Sequence, residues 1–181
     1  MGIDALMKKK AVFFDRDGVL NQAIIKNGKP YPPASLETLM IADDALAALN
    51  LLKQQAFLLI GATNQPDVAR GTTSRVLVEA INTALLTKLP LDDIRVCYHD
   101  DADSCHCRKP EPGLLLAAAQ DYDIDLTKSY MIGDRWKDIE AGRRAGCRTI
   151  WLDFQYREKF LSAAPNFIAH SLTQAAEWIL T

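Results

Sequence analysis

No stretch of this 181-residue chain reaches the ~20 consecutive apolar residues that a membrane-spanning helix requires, and its amino terminus lacks the apolar core of a secretion signal. A cytoplasmic protein with no membrane partner is the expectation. Charge of one sign is also missing, since the formal net charge is −2 and Lys8-Lys9-Lys10 is the only dense basic run. Those lysines read as the solvated lead-in to a strand, so nucleic acid is not an expected partner. Internal repeats, low-complexity tracts and linker-like shifts in composition are absent as well. One domain spanning 1–181, working as a monomer, follows as the simplest organisation. Cysteine is scarce, with four in the chain, but three of the four fall close together. In a reducing compartment such a cluster points to a metal site rather than to disulfides.

What is present is an alternation of short apolar runs with helical stripes. Ala11-Val12-Phe13-Phe14 reads as a buried strand that stops at Asp15-Arg16-Asp17-Gly18. Residues 21–33, with Gly28, Pro30, Pro32 and Pro33, read as an irregular loop lying over the acid pair. Asp43 or Asp44 is the expected cap of a helix running to about Gln55. Further strands are expected over residues 57–62, 94–98, 129–132 and 147–152, with an edge strand at Phe167-Ile168. Helices are expected to open at Gly71-Thr72-Thr73, to carry Leu114, Leu115 and Ala118, to span Trp136 to Ala145, and to close the chain. Strand, helix, strand, helix calls for an α/β fold. The expectation is a Rossmann-like three-layer sandwich with a mostly parallel sheet that binds its ligand at the carboxyl ends of the strands.

The residues suited to phosphate chemistry follow four of those strands. Asp15 and Asp17 follow the first, Thr63 and Asn64 the second, Arg108 and Lys109 the third, and Asp134 the fourth. Side chains at i and i+2 of an extended backbone face one way, which would aim Asp15 and Asp17 into one volume. Asp134 would complete an oxygen-only site for magnesium, while the Thr63 hydroxyl and Lys109 hold phosphate oxygens. Asp138, one turn beyond Asp134, is expected either to reach the metal through water or to hold Lys109. The chemistry this suggests is attack on phosphorus by Asp15, with Asp17 as acid and then base. Asn64, Gln65 and Arg135 are candidate substrate contacts.

Asp15-x-Asp17-Gly18-Val19, Thr63-Asn64-Gln65, Arg108-Lys109-Pro110 and Gly133-Asp134 with Asp138 resemble, in order and spacing, the four signature motifs of the haloacid dehalogenase superfamily of phosphohydrolases. The phrases Asp-Arg-Asp-Gly-Val-Leu-Asn, Thr-Asn-Gln-x-x-x-Ala-Arg-Gly and Cys-x-Cys-Arg-Lys-Pro are similar to the branch that acts on heptose bisphosphate and histidinol phosphate. The resemblance implies Asp15 as nucleophile, Asp17 as acid/base and Asp15, Asp17 and Asp134 as magnesium ligands. By the same resemblance, Thr63 and Lys109 would stabilise the transferred group and Arg108 would help to bind substrate. The spacing leaves no room for a large cap domain, so loops should shape the pocket.

Cys97, His99, Cys105 and Cys107 can fill all four positions of a tetrahedral, structural zinc site, with His106 as the alternative nitrogen ligand. The resemblance implies such a zinc loop too, and its use would be to hold Arg108 and Lys109 at the pocket. Cys147, at a strand start, reads as core. Residues 22–26 and Pro66-Asp67 depart from the branch pattern, whereas Ala69-Arg70-Gly71 leans toward a sugar phosphate. Heptose bisphosphate is the expected substrate, ahead of histidinol phosphate. A polynucleotide end phosphatase is the reading from another class, and it would require a basic groove with stacking aromatics.

Overall fold

The computed structural model describes residues 8–155 and 164–181; the remainder of the expected single domain lies outside the described residues. Its centre is a six-stranded sheet in which every paired strand is parallel. The strands are β1 (Ala11–Phe14), β4 (Leu58–Asn64), β5 (Asp93–Cys97), β6 (Tyr130–Gly133), β7 (Arg148–Leu152) and β8 (Phe167–Ala169). They lie in the order β5-β4-β1-β6-β7-β8. The chain steps outward from β1 to β4 and β5, then returns to β6 on the other side of β1 and steps outward again. Connections therefore leave β1 and β6 in opposite directions, which opens a crevice above their carboxyl ends.

Alternation along β1 explains the layers. Val12 and Phe14 point into a core shared with α1 (Ala45–Gln54), α2 (Arg75–Lys88) and α5 (Leu172–Ile179). Ala11 and Phe13 point the other way, into a core shared with α3 (Gly113–Tyr122) and α4 (Trp136–Ala145). All four side chains are fully buried, as expected of a central strand covered on both faces. Leu49, Leu52, Leu59, Ile81 and Leu85 are equally enclosed, each worth about 1.5–3 kcal/mol relative to exposure. The cores account for the rigidity on which the strand ends depend.

Two helix starts differ from the reading of the sequence. Asp44 sits at the start of α1 but makes no side-chain cap there; its carboxylate instead accepts from the Thr173 backbone N–H at 2.8 Å, tying α1 to α5. Helix α2 opens later than Gly71-Thr72-Thr73, because Ser74 supplies the cap, its hydroxyl accepting from Leu77 N at 3.1 Å. A larger correction concerns residues 21–33, which are not irregular. They contain an antiparallel hairpin of β2 (Ile24–Lys26) and β3 (Lys29–Tyr31). Its tip is Asn27-Gly28, both at positive φ (53° and 74°), the pair that a two-residue turn of that hand requires. The hairpin stands in for a cap: among the described residues there is no separate cap domain, and Pro30, Tyr31 and Pro32 form one wall of the crevice.

Candidate active site

Above β1, β4 and β6 lies a cavity of about 620 Å³ whose lining includes Asp15, Asp17, Thr63, Asn64, Gln65, Arg108, Lys109, Arg135 and Asp138. At its floor the Lys109 ammonium bridges two carboxylates, donating to Asp15 Oδ1 and Asp138 Oδ1 at 2.6 Å each. Lys109 and Asp138 are 2% exposed and Asp15 8%, so this is a desolvated network rather than a surface pair. Burial alone would lower the Lys109 pKa, but Asp138 and Asp15 outweigh it and keep the ammonium charged. Backbone clamps hold Lys109 in place. Asn64 Oδ1 accepts from its N–H at 3.0 Å, and Asn64 Nδ2 donates to its carbonyl at 2.9 Å.

The second oxygen of Asp138 accepts from the Arg135 backbone N–H at 3.0 Å, at the first turn of α4. Both oxygens of Asp138 are therefore engaged, and holding Lys109 is the role its position supports. Asp134 is the opposite case: it is fully buried, and neither carboxylate oxygen has a hydrogen-bond partner among the described residues. An orphaned buried carboxylate is costly unless a cation or proton satisfies it. Oxygens of Asp15, Asp134 and Asp138 come within 4.8 Å of one another. Three acids against one ammonium leave an excess of negative charge, and the shifts record it. Burial first, with the neighbouring carboxylates, outweighs the pull of Lys109, raising Asp15 to about 7 and holding Asp134 well above the usual carboxylate range. A divalent cation with oxygen ligands fits this donor set. Gly18 keeps the space open, since a Cβ there would lie 2.1 Å from Asp134 Oδ2.

The backbone turns beyond Arg16, with Leu20 N and Asn21 N both donating to the Arg16 carbonyl. Asp17 lines the same cavity as Asp15, as its spacing implies, and its carboxylate is not one of the three clustered acids. Arg16 grips it through Nε (3.2 Å) and Nη2 (2.9 Å), while Asn21 Nδ2 (3.1 Å) and Gln65 Nε2 (2.8 Å) add two more bonds. Arg16 is itself fully buried, its Nη1 donating to Asn82 Oδ1 of α2 at 2.9 Å. Sequence reasoning missed both Arg16 and Asn82. The available signals were an arginine flanked by two acids and an amide on the apolar stripe of a helix. Gln65 Nε2 also donates to Thr63 Oγ1 at 2.9 Å. Asn64 and Gln65, expected as substrate contacts, thus spend amide groups on holding Lys109, Asp17 and Thr63.

Next to the cavity, Cys97, His99, Cys105 and Cys107 converge. Five pairs of ligand atoms lie 3.2–3.7 Å apart, too far for disulfides and close to the edge of a thiolate and imidazole tetrahedron, about 3.5–3.8 Å for Zn–S near 2.3 Å. This cluster can hold zinc. The imidazole that joins the cluster is that of His99, whereas His106 is exposed. Cys147 is buried in the α3–α4 core, which pushes its thiol up to about 12. Arg108 leaves the loop toward the cavity, bonding Asp101 Oδ1 through Nε at 2.8 Å.

Comparison with known proteins agrees with this geometry. A family model described as HAD-hydrolase-like matches residues 106–175. The chain is 33% identical to D-glycero-D-manno-heptose-1,7-bisphosphate 7-phosphatase of Thermosynechococcus vestitus, with 97% of each chain covered. It is 31% identical to D-glycero-beta-D-manno-heptose-1,7-bisphosphate 7-phosphatase of Escherichia coli K12, over 94% of this chain and 87% of that one. The crystal structure of D,D-heptose 1,7-bisphosphate phosphatase from B. bronchiseptica, complexed with magnesium and phosphate, superposes with a TM-score of 0.80 at 30% identity. That match covers 94% of this chain and 98% of the other. The chain belongs to the haloacid dehalogenase-like phosphatases, phosphomonoester hydrolases, in the group that these heptose bisphosphate phosphatases represent.

Proposed function

We propose that this phosphatase removes the 7-phosphate of D-glycero-D-manno-heptose 1,7-bisphosphate through a phosphoenzyme on Asp15, with magnesium as cofactor and zinc as a structural ion. The reading rests above all on one observation, the partnerless Asp134 carboxylate beside the Asp15–Lys109–Asp138 network. Asp15 and Asp134 would hold magnesium, which when bound offsets phosphoryl charge and orients the group. An Asp15 oxygen attacks phosphorus and the bond to the leaving oxygen breaks. Asp17 gives that oxygen a proton, so the first product leaves as an alcohol. A water then attacks the acyl phosphate, Asp17 takes its proton, and inorganic phosphate departs with Asp15 restored. Lys109 and the Thr63 hydroxyl neutralise phosphoryl oxygens, and Arg108 and Arg135 contact substrate from the cavity wall.

The cavity volume suits a sugar phosphate. A steady-state panel tests the reading: heptose 1,7-bisphosphate, histidinol phosphate, sugar monophosphates and a 5′-phosphorylated oligonucleotide. The expected result is a preference for heptose bisphosphate of several hundredfold in kcat/KM, roughly 3–4 kcal/mol in the transition state. Equal rates across the panel would sink the substrate assignment. Asp15→Asn protein that keeps its fold and the parent rate would remove the nucleophile.

A further inference from the structure

Three cations from three segments meet around one exposed carboxylate at the mouth of the cavity. Asp101 Oδ1 accepts from Arg108 Nε at 2.8 Å and lies 3.7 Å from Lys137 Nζ; Asp101 Oδ2 lies 3.9 Å from Arg70 Nη2. All four residues line the cavity. Arg70 follows β4, Arg108 belongs to the cysteine loop and Lys137 lies in the first turn of α4. Positive groups converging in this way form a receptor for a multiply charged anion, and here a side chain of the protein occupies it.

Asp101 is the group free to leave. Its neighbour Asp100 is committed: it grips Arg70 at two points (2.8 and 2.5 Å) and its Oδ1 accepts from Asp101 N at 2.7 Å, capping the 3-10 turn Asp101–Asp103. Asp67, the other acid near Arg70, is 3.5 Å from Nη1. The Asp101 carboxylate accepts from no backbone N–H among the described residues, and its side chain is 68% exposed. Turning it into water breaks ion pairs with the three cations and leaves the loop backbone intact.

We infer that Asp101 is a specificity-determining residue: an internal anion that holds the Arg70, Arg108 and Lys137 cluster in the free enzyme and gives it up to the non-reacting phosphate of a bisphosphate. A monophosphate cannot claim the cluster and leaves Asp101 in place. The idea deepens the bisphosphate reading above and rests on it for its biological meaning, but its test is separable. Dissociation constants for a hexose 1,6-bisphosphate and a hexose 6-phosphate are measured by calorimetry with magnesium present. The proteins are Asp15→Asn, which prevents turnover, and the same protein carrying Asp101→Asn or, as control, Asp121→Asn. Asp121 is exposed and pairs with Arg95 on β5, outside the cavity.

With Asp101→Asn the bisphosphate should tighten about three- to tenfold relative to the monophosphate, and the control should leave that ratio where it was. An unchanged ratio, an equal gain for both ligands, or a bisphosphate that binds neither protein overturns the proposal. If the unmodified chain favours a bisphosphate in turnover while the ratio stays fixed, the substrate reading survives and the Asp101 proposal does not. A ratio that moves in a chain preferring a monophosphate in turnover inverts that result.

Discussion

Replacing Gly18 by alanine tests the magnesium assignment without touching a carboxylate. Gly18 has φ +96°, and an added Cβ would lie 2.1 Å from Asp134 Oδ2 and 2.9 Å from Asp134 Cγ. A methyl needs roughly 3.3 Å from an oxygen, so about 1 Å must be recovered by movement. Metal sites tolerate errors of about 0.2 Å in ligand distance. The carboxylate is fully buried, at the start of the rigid segment between β6 and α4, and cannot swing into solvent. The expected outcome is a loss of tenfold or more in the magnesium concentration dependence of phosphatase activity. The positive φ should also destabilise the chain by about 1–2 kcal/mol. The assay is activity against magnesium concentration with a generic aryl phosphate, alongside thermal unfolding. A Gly18→Ala protein with parental magnesium dependence would refute the claim that Asp134 needs that space for a cation.

Lys109→Met leaves Asp15 and Asp138 buried without their shared ammonium, so activity should collapse; unfolding in denaturant should show a loss of about 3–5 kcal/mol in magnesium-free buffer. Metal analysis of chain never exposed to chelator should find about one zinc per chain, and Cys107→Ser should lose the zinc together with activity, because Lys109 follows two residues later. Gly28→Ala strains the hairpin tip by about 1 kcal/mol; it should alter KM for sugar phosphates more than it lowers the melting temperature. Ser129→Ala removes the acceptor of the buried Ala11 N–H, 3.0 Å away, and should lower stability by about 1–3 kcal/mol while leaving metal dependence as it was.

Period and punctuation made most of the sheet legible, since buried parallel strands are apolar runs ended by polar residues, and the strand ends then named Asp15, Thr63, Lys109 and Asp134. Harder to read was anything set by direction rather than position. Asp17 shares the cavity with Asp15, as a two-residue spacing implies, but its bonds to Arg16, Asn21 and Gln65 come from groups that no spacing rule names. Asn27-Gly28 carried a hairpin signal that the neighbouring prolines obscured. Asn64 and Gln65 have the chemistry of ligand contacts, and only their geometry reveals that they spend amide groups on Lys109, Asp17 and Thr63. Arg16 and Asn82 meet across 66 positions of sequence, beyond the reach of any local pattern.

The division of β1 between two cores has a further meaning for tolerance to insertion and deletion. Phe14 and Phe13 face opposite hydrophobic compartments, and Asp15 emerges where the strand stops. Removing one residue within the strand would swap the occupants of both compartments and rotate Asp15 away from Lys109 in the same stroke. Hydrolytic competence and the ability to fold share one reading frame along four residues, so a frame slip here cannot be repaired by adjusting the loops around it.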